Sequence, residues 1–417
     1  FSISARALQT DTIIYVDHAA VGANNGTSWT NAFTSLQSGL DAADPGDEIW
    51  VAEGTYIPTA RTVISDATSA TFTMLPGVGL YGGFAGTETQ REQRVWEAHP
   101  TILSGDLYQD DVDGDGNGVI NYTEVVGLNA ANVVWAEEIT ATARLDGFTI
   151  RLGYSINGAG SGLHMVSSDA AFRNLIFEFN HAGYGGGIAA YHSNLTLENV
   201  SFLNNTGGLQ ATGGGGGLWF DSSGNLNLND VDFVGNEAGI WGGGGLHARY
   251  SNTVSLVNGL FRDNIAHFNH NIMAPLGGGG AYVGYCNFFT FTDTQFEDNQ
   301  TIGVLVAEEF TKKEFGSGGG LYVDHGHYEA RGITFVRNTA AIGGGMAVNQ
   351  YADWIILSMQ DMKFIENEAY YRGGGMHTAD STPGPNMDRA IFTGNRSPLG
   401  GAAILGAYTT INHSQFI

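Results

Sequence analysis

At eight places spaced 25 to 39 residues apart between residues 177 and 395 the chain carries the pattern Phe-x-x-Asn, and a run of glycines follows each copy. The copies are Phe177/Asn180, Phe202/Asn205, Phe233/Asn236, Phe261/Asn264, Phe296/Asn299, Phe335/Asn338, Phe364/Asn367 and Phe392/Asn395, and Phe416 opens a ninth. The glycine runs fall at 185–187, 213–217, 242–245, 277–280, 318–320, 343–345, 373–375 and 400–401. Two independent markers in strict alternation make an internal repeat, and a period of roughly 20 to 50 residues denotes a stacked array of supersecondary units. Five residues before each Phe stand Leu197, Leu228, Leu256, Phe291, Ala330, Met359 and Met387, and seven before stand Leu195, Leu226, Val254, Phe289, Tyr328 and Leu357. That spacing of two is a strand period, and the glycines would break a helix.

Each unit therefore holds three short strands, two leading up to the Phe and a third opening after the glycines. This describes one coil of an all-β, single-stranded right-handed parallel β-helix solenoid. In such a fold equivalent positions stack at about 4.8 Å, so Phe lies on Phe and Asn on Asn in an amide ladder. Glycine serves where the backbone turns sharply or takes positive φ. The repeated residues are scaffold, and candidate chemistry must be sought elsewhere.

The Gly-Gly-Gly-apolar and Phe-x-x-Asn elements over residues 177–416 resemble the repeats of the polymorphic outer-membrane protein family and of related pectin-lyase-like β-helix proteins. That family pairs Gly-Gly-Ala-Ile with Phe-x-x-Asn, whereas here the first element reads Gly-Gly-Gly followed by Leu, Ala or Met. The resemblance implies a secreted or outer-membrane, cell-surface protein of bacterial type, often adhesive.

The N-terminal third departs from the repeat. Residues 1–7 end in Ala5-Arg6-Ala7, as the tail of a signal peptide would. Residues 8–47 are expected to form a cap: a strand at Ile13 to Val16, then an amphipathic helix within Thr30 to Ala43 that covers the open end of the solenoid and stops at Pro45-Gly46. Residues 48–417 form the β-helix, with an insertion at 107–126, and the end at Ile417 falls partway through a unit, so a longer natural protein is expected.

Charge narrows the partners. With 17 Lys+Arg against 42 Asp+Glu the formal charge is −25, which repels nucleic acid and anionic membrane surfaces and favours cations or neutral partners. No run of eighteen apolar residues exists to cross a bilayer as a helix. The lone cysteine, Cys286, excludes a disulfide framework and reads as a buried, inert thiol.

The sharpest local motif runs from Asp113 to Glu124. Counted from Asp113, side-chain oxygens fall at positions 1, 3, 5 and 9, glycine at 6 and Glu at 12, the register of an EF-hand calcium loop. Asp113, Asp115 and Asn117 offer side-chain oxygens, Val119 its carbonyl, Asn121 a side-chain or water-mediated contact, and Glu124 two oxygens. No long helix follows, so this reads as an isolated calcium site; the bland alternative is an acidic solvated loop.

Strand alternation after each glycine run gives a second candidate. If Leu218, Leu246, Ala281, Leu321, Met346 and Met376 point inward, then Trp219, His247, Tyr282, Tyr322 and His377 point outward in a column, edged by Asp221, Arg249 and Asp324. An exposed aromatic strip of this kind suits a polysaccharide or an extended cell-surface partner. The competing possibility is that the long segments after Asn264 and Asn299, which carry His267, His270, Glu308, Glu309, Lys312 and Lys313, lie over it. The pattern fits a non-catalytic module for adhesion or glycan binding. The alternative is a polysaccharide lyase or glycoside hydrolase, which needs a clustered base or paired carboxylates; Asp324-His325-Gly326-His327 places an acid beside two histidines without an evident partner on another coil.

Overall fold

The computed structural model describes residues 12–208, 213–269, 277–304, 316–348, 355–378, 384–406 and 409–417. Among these the chain is a right-handed parallel β-helix: the strand-to-strand ladders are parallel and run in three sheets of 20, 11 and 8 strands along one axis. Right-handed crossover is the rule for parallel connections. One coil shows the plan, with strand Leu246–Arg249 in the second sheet, Thr253–Arg262 in the first and Ile265–Asn269 in the third.

Local backbone conformation explains the corners. The long strand of the first sheet bends at a left-handed residue, Asn199, Asp230, Asn258 or Asp293 in successive coils, with φ between 47° and 54°. These short polar side chains tolerate that region better than most. A second left-handed residue, such as Asp263 or Asp298, occupies the last variable position of Phe-x-x-Asn and turns the chain so that the Asn points inward. The third corner belongs to the glycine runs. A Cβ on Gly244 would stand 2.3 Å from the carbonyl oxygen of Gly279 on the next coil, so only glycine fits there.

The expected stack and ladder are both present. Phe177, Phe202, Phe233, Phe261, Phe296, Phe335, Phe364, Phe392 and Phe416 lie ring on ring with neighbouring centroids 4.6–5.2 Å apart. All but Phe416 are fully buried. The Asn236 amide donates to Asn264 Oδ1 at 3.0 Å and to the Phe202 carbonyl at 2.8 Å, and Asn264 repeats this on Asn299 and Phe233. A buried amide costs free energy unless each polar atom finds a partner, and the ladder supplies one at every coil. One continuous apolar core runs from Ile14 to Phe392.

At the N-terminus the solenoid starts earlier than the sequence suggests. Strand Ile13–Val16 pairs in parallel with Glu48–Ala52, Ile14 opposite Ile49 and Val16 opposite Val51, so it is the first rung rather than part of a separate cap. The capping helix is present but short, Leu36–Ala42. Phe33, expected inside it, instead bridges Val16 as extended chain. The helix buries Leu36 and Leu40, and Gly39 allows it to settle close: a Cβ there would meet Val16 at 2.7 Å.

Truncating the stack in mid-solenoid, Phe261→Ala, should cost about 3–5 kcal/mol through lost burial and the cavity left between two rings. Urea denaturation of the variant checks this. A loss within about 0.5 kcal/mol, the range of a surface change, would contradict the packing described.

Candidate functional site

The insertion between strands Thr101–Ser104 and Val134–Glu137 carries the acidic loop. Asp113 accepts backbone N–H bonds from Gly116 at 2.8 Å, Asn117 at 3.1 Å and Gly118 at 2.7 Å. The bond from Gly118 is the largest cause holding its carboxyl below the ordinary range. Glu124 accepts from Gly114 at 3.0 Å and from the Asn121 backbone and side-chain amides. Carboxylate oxygens of Asp113, Asp115 and Glu124 lie within 4.8 Å of one another, so the structure brings together three of the six expected ligands. Asn117 bonds Asp115 and, through Oδ1, the Val119 N–H. Gly118, at the sixth loop position, has φ +83°, the sharp turn such a loop requires. The donors are hard oxygens, and the cluster could hold a metal ion.

The loop is fastened to the solenoid from below. Ile120 packs with Leu152 and Phe179, and the His181 ring meets the Ile120 carbonyl at 3.1 Å through Nε2. Burial pushes His181 down to about 4, so it is neutral at pH 7 and donates N–H to that carbonyl.

The outward column forms in register, Trp219 opposite His247, His247 opposite Tyr282 and Tyr282 opposite Tyr322, with Ala347 and His377 continuing it. Trp219, His247, Tyr282 and Tyr322 stack with centroids 4.0, 4.4 and 5.7 Å apart. The expectation that it is an exposed strip fails. Trp219 is 1% exposed, His247 0%, Tyr282 2%, Tyr322 3% and His377 5%. The rings cover one another along the stack, Tyr184 at 4.9 Å and Arg249 pack on Trp219, and the preceding glycine run comes close to Ala347 and His377. A Cβ on Gly343 would lie 2.8 Å from that of Ala347, and one on Gly373 2.9 Å from that of His377, so the turning backbone rests on the side chain four residues further on.

The polar edge is half-buried at Asp221 and Arg249 and buried at Asp324. Arg249 pairs with Asp221 at 2.8 Å and covers the rings of Trp219 and Trp241. Buried Asp324 accepts from the Tyr282 hydroxyl at 3.2 Å and pairs with His325. The His247 nitrogens lie near the Trp241 and Gly242 backbone without a well-formed hydrogen bond, and burial, aided by Arg249, holds its pKa well below the usual histidine value. His267 pairs with Glu237. His270, Glu308, Glu309, Lys312 and Lys313 lie outside the described residues.

An exposed aromatic cluster does exist, one corner away. Tyr250 and Tyr285 take positive φ, 55° and 54°, directly after their strands, which throws the rings outward to 53% and 45% exposure. Tyr250 stands 5.4 Å from Tyr285, which stacks on His325 at 4.3 Å. Beside them Phe288, 55% exposed, lies 5.2 Å from His327.

A break in register opens a notch between the two columns. Cys286 faces Gly326 but Phe288 faces His327, so Asn287 has no counterpart and the next coil is one residue shorter. The surface amide ladder Asn194, Asn225, Asn252, Asn287 ends there. The resulting cavity of about 470 Å³ is lined by Tyr250, Tyr285, Cys286, Asn287, His325, Gly326 and His327. Cys286 is buried at its floor, and burial raises its thiol to about 11, the inert state expected of it. The sequence carried a signal for this site that alternation hid: Tyr250, Tyr285 and His325 each stand four residues beyond an inward-facing Leu246, Ala281 or Leu321.

No family model and no curated protein matches the chain. The polymorphic outer-membrane protein resemblance therefore stays one of repeat pattern. Among solved structures the chain is similar to pectate lyase Pel9A, at 12% identity over 98% of this chain and 80% of that one, with a TM-score of 0.40. It is also similar to PfbA, a surface adhesin of Streptococcus pneumoniae, at 11% identity over 90% and 87%, with a TM-score of 0.25. Both likenesses are too weak to speak to activity.

Burial of His247 gives stability a pH dependence. Its folded pKa is depressed below the 6.5 of the unfolded chain, so its contribution is fully present above pH 6.5 and falls as acid protonates the unfolded state. Urea midpoints should drop between pH 7 and pH 5, and by less in His247→Phe. Equal drops in the two proteins would show that His247 is not the group responsible.

Proposed function

We propose that this chain is a non-catalytic binding module of a secreted or cell-surface protein, and that it holds a glycan strand at the notch between Tyr250, Tyr285 and His325 on one side and Phe288 and His327 on the other. The observation that carries this reading is that four partly exposed rings, Tyr250, Tyr285, His325 and His327, line one concave corner of a rigid scaffold, with exposed Phe288 beside His327. Exposed apolar rings gathered in one place mark interaction surfaces, and aromatic rings suit the C–H edges of sugars. Tyr285 stacks on His325, the Tyr250 and Phe288 rings are tilted against their neighbours, and the Asn287 amide at the end of its ladder lines the same notch. The lining has no Lys or Arg, the Arg249 guanidinium 5.2 Å from the Tyr250 ring is paired with Asp221, and the chain carries −25, which together favour a neutral polymer over a polyanion.

The test is binding to a panel of soluble polysaccharides by affinity electrophoresis and calorimetry. Tyr285→Ala should weaken binding by about 2 kcal/mol or more, roughly thirtyfold, while the melting temperature holds, because exposed residues contribute little to the core. Trp219→Ala should instead lower stability. Binding untouched by Tyr250→Ala and Tyr285→Ala removes the notch from the account, and cleavage of a panel member replaces it with the lyase or hydrolase alternative.

For the loop from Asp113 to Glu124 the same reading assigns calcium as a local staple. Hard oxygen donors in this register bind calcium, and a solenoid rung mainly feels its neighbours. Calcium should protect backbone amides of 113–124 from hydrogen exchange and leave those of the Phe stack unchanged. Protection that survives Asp113→Ala would disprove the assignment.

A further inference from the structure

Calcium binding by the Asp113 loop leaves a second group of carboxylates unexplained. Asp106, Asp110 and Asp111, at the neck of the same insertion, have carboxylate oxygens within 4.8 Å of one another. Asp106 is 4% exposed. Among the described residues no Lys, Arg or His forms an ion pair with any of the three. Three like charges so close repel, which favours a cation between them or a proton on one of them.

A separate observation comes from the opposite side of the neck. Asn129 bridges Asp106 in an antiparallel contact and is 5% exposed. Its amide nitrogen is committed, donating to Asp111 Oδ2 at 2.6 Å and to the Leu152 carbonyl at 2.8 Å. Both partners are acceptors, which fixes the amide orientation and leaves Oδ1 as the free end. That oxygen is buried and has no hydrogen-bond partner. A buried carbonyl oxygen without a donor is costly, and a cation satisfies it as well as a donor does.

We propose that Asp106, Asp110, Asp111 and the Asn129 amide oxygen form a second divalent-cation site, separate from the Asp113 loop. Its donors are oxygen alone, which selects calcium over zinc or copper. The backbone is already shaped around Asp106, whose carboxylate accepts N–H bonds from Asp110 at 3.2 Å and Asp111 at 3.0 Å. The site joins both ends of the insertion where they leave the solenoid, and Asp111 and Asp113 are two residues apart. An ion at the neck therefore orders the first ligand of the loop, so the two sites bind with positive coupling.

Calorimetry of the full chain, stripped with chelator and titrated with calcium chloride, tests this. Wild type should bind two ions, and Asp110→Asn and Asp113→Ala one each, with the residual ion weakened in both. Asp110→Glu, which keeps the charge but lengthens the arm, should weaken the neck ion at least tenfold. Asp110 is exposed, and circular-dichroism melts of the calcium-free proteins separate lost binding from lost folding. Should Asp113→Ala have no effect while Asp110→Asn removes the ion, the neck site stands and the loop assignment falls. If Asp110→Asn and Asp110→Glu both match wild type in stoichiometry and affinity, the neck site is refuted.

Discussion

Every feature of this molecule follows from the parallel backbone ladder that joins each coil to the next. Because the strands are parallel and the coils successive, each residue sits above its own equivalent one turn earlier. Like falls on like at the most regular positions, and elsewhere a side chain is tolerated if it packs on whatever occupies the same position of the next coil. Phenylalanine satisfies this with its ring face and asparagine with an amide that both donates and accepts. Carboxylates or ammonium groups stacked in the core would repel, and among the described residues the apolar core holds none.

The same ladder decides where binding surfaces arise. While register holds, corners repeat and the surface is uniform. At Asn287 one residue is lost from the following coil, the amide ladder stops, and a notch opens between two aromatic columns. The acidic insertion exploits another freedom: a chain leaving the solenoid between two rungs disturbs only its neighbours. It can therefore carry a dense cluster of carboxylates without repulsion reaching the core, provided that cations neutralise it.

Buried polar groups divide along similar lines. Asn180 through Asn367 are paired at every coil, whereas the His247 nitrogens, Trp219 Nε1 and Asn129 Oδ1 have no partner. His247 resolves the matter by staying neutral within its stack. At Asn129 the neighbouring carboxylates make a cation the natural partner.

The sequence alone determined the solenoid. Phe-x-x-Asn, the glycine runs and the period-2 apolar pairs are local and recur, so the stack, the amide ladder and the coil length could be read before any coordinate was known. The acidic loop was legible too, since its ligand spacing lies within twelve consecutive residues. Tertiary structure decided exposure. Alternation placed Trp219, His247 and Tyr282 on the outward face, but it could not tell that their rings are buried against one another and against Tyr184 and Arg249. Nor could it show that left-handed φ at Tyr250 and Tyr285 carries those rings into solvent. Asn129 lies 18 residues beyond Asp111, and only the path of the insertion brings the two together. Periodicity records which residues share a face; what covers that face, and what approaches it from elsewhere in the chain, is set by the course of the backbone in three dimensions.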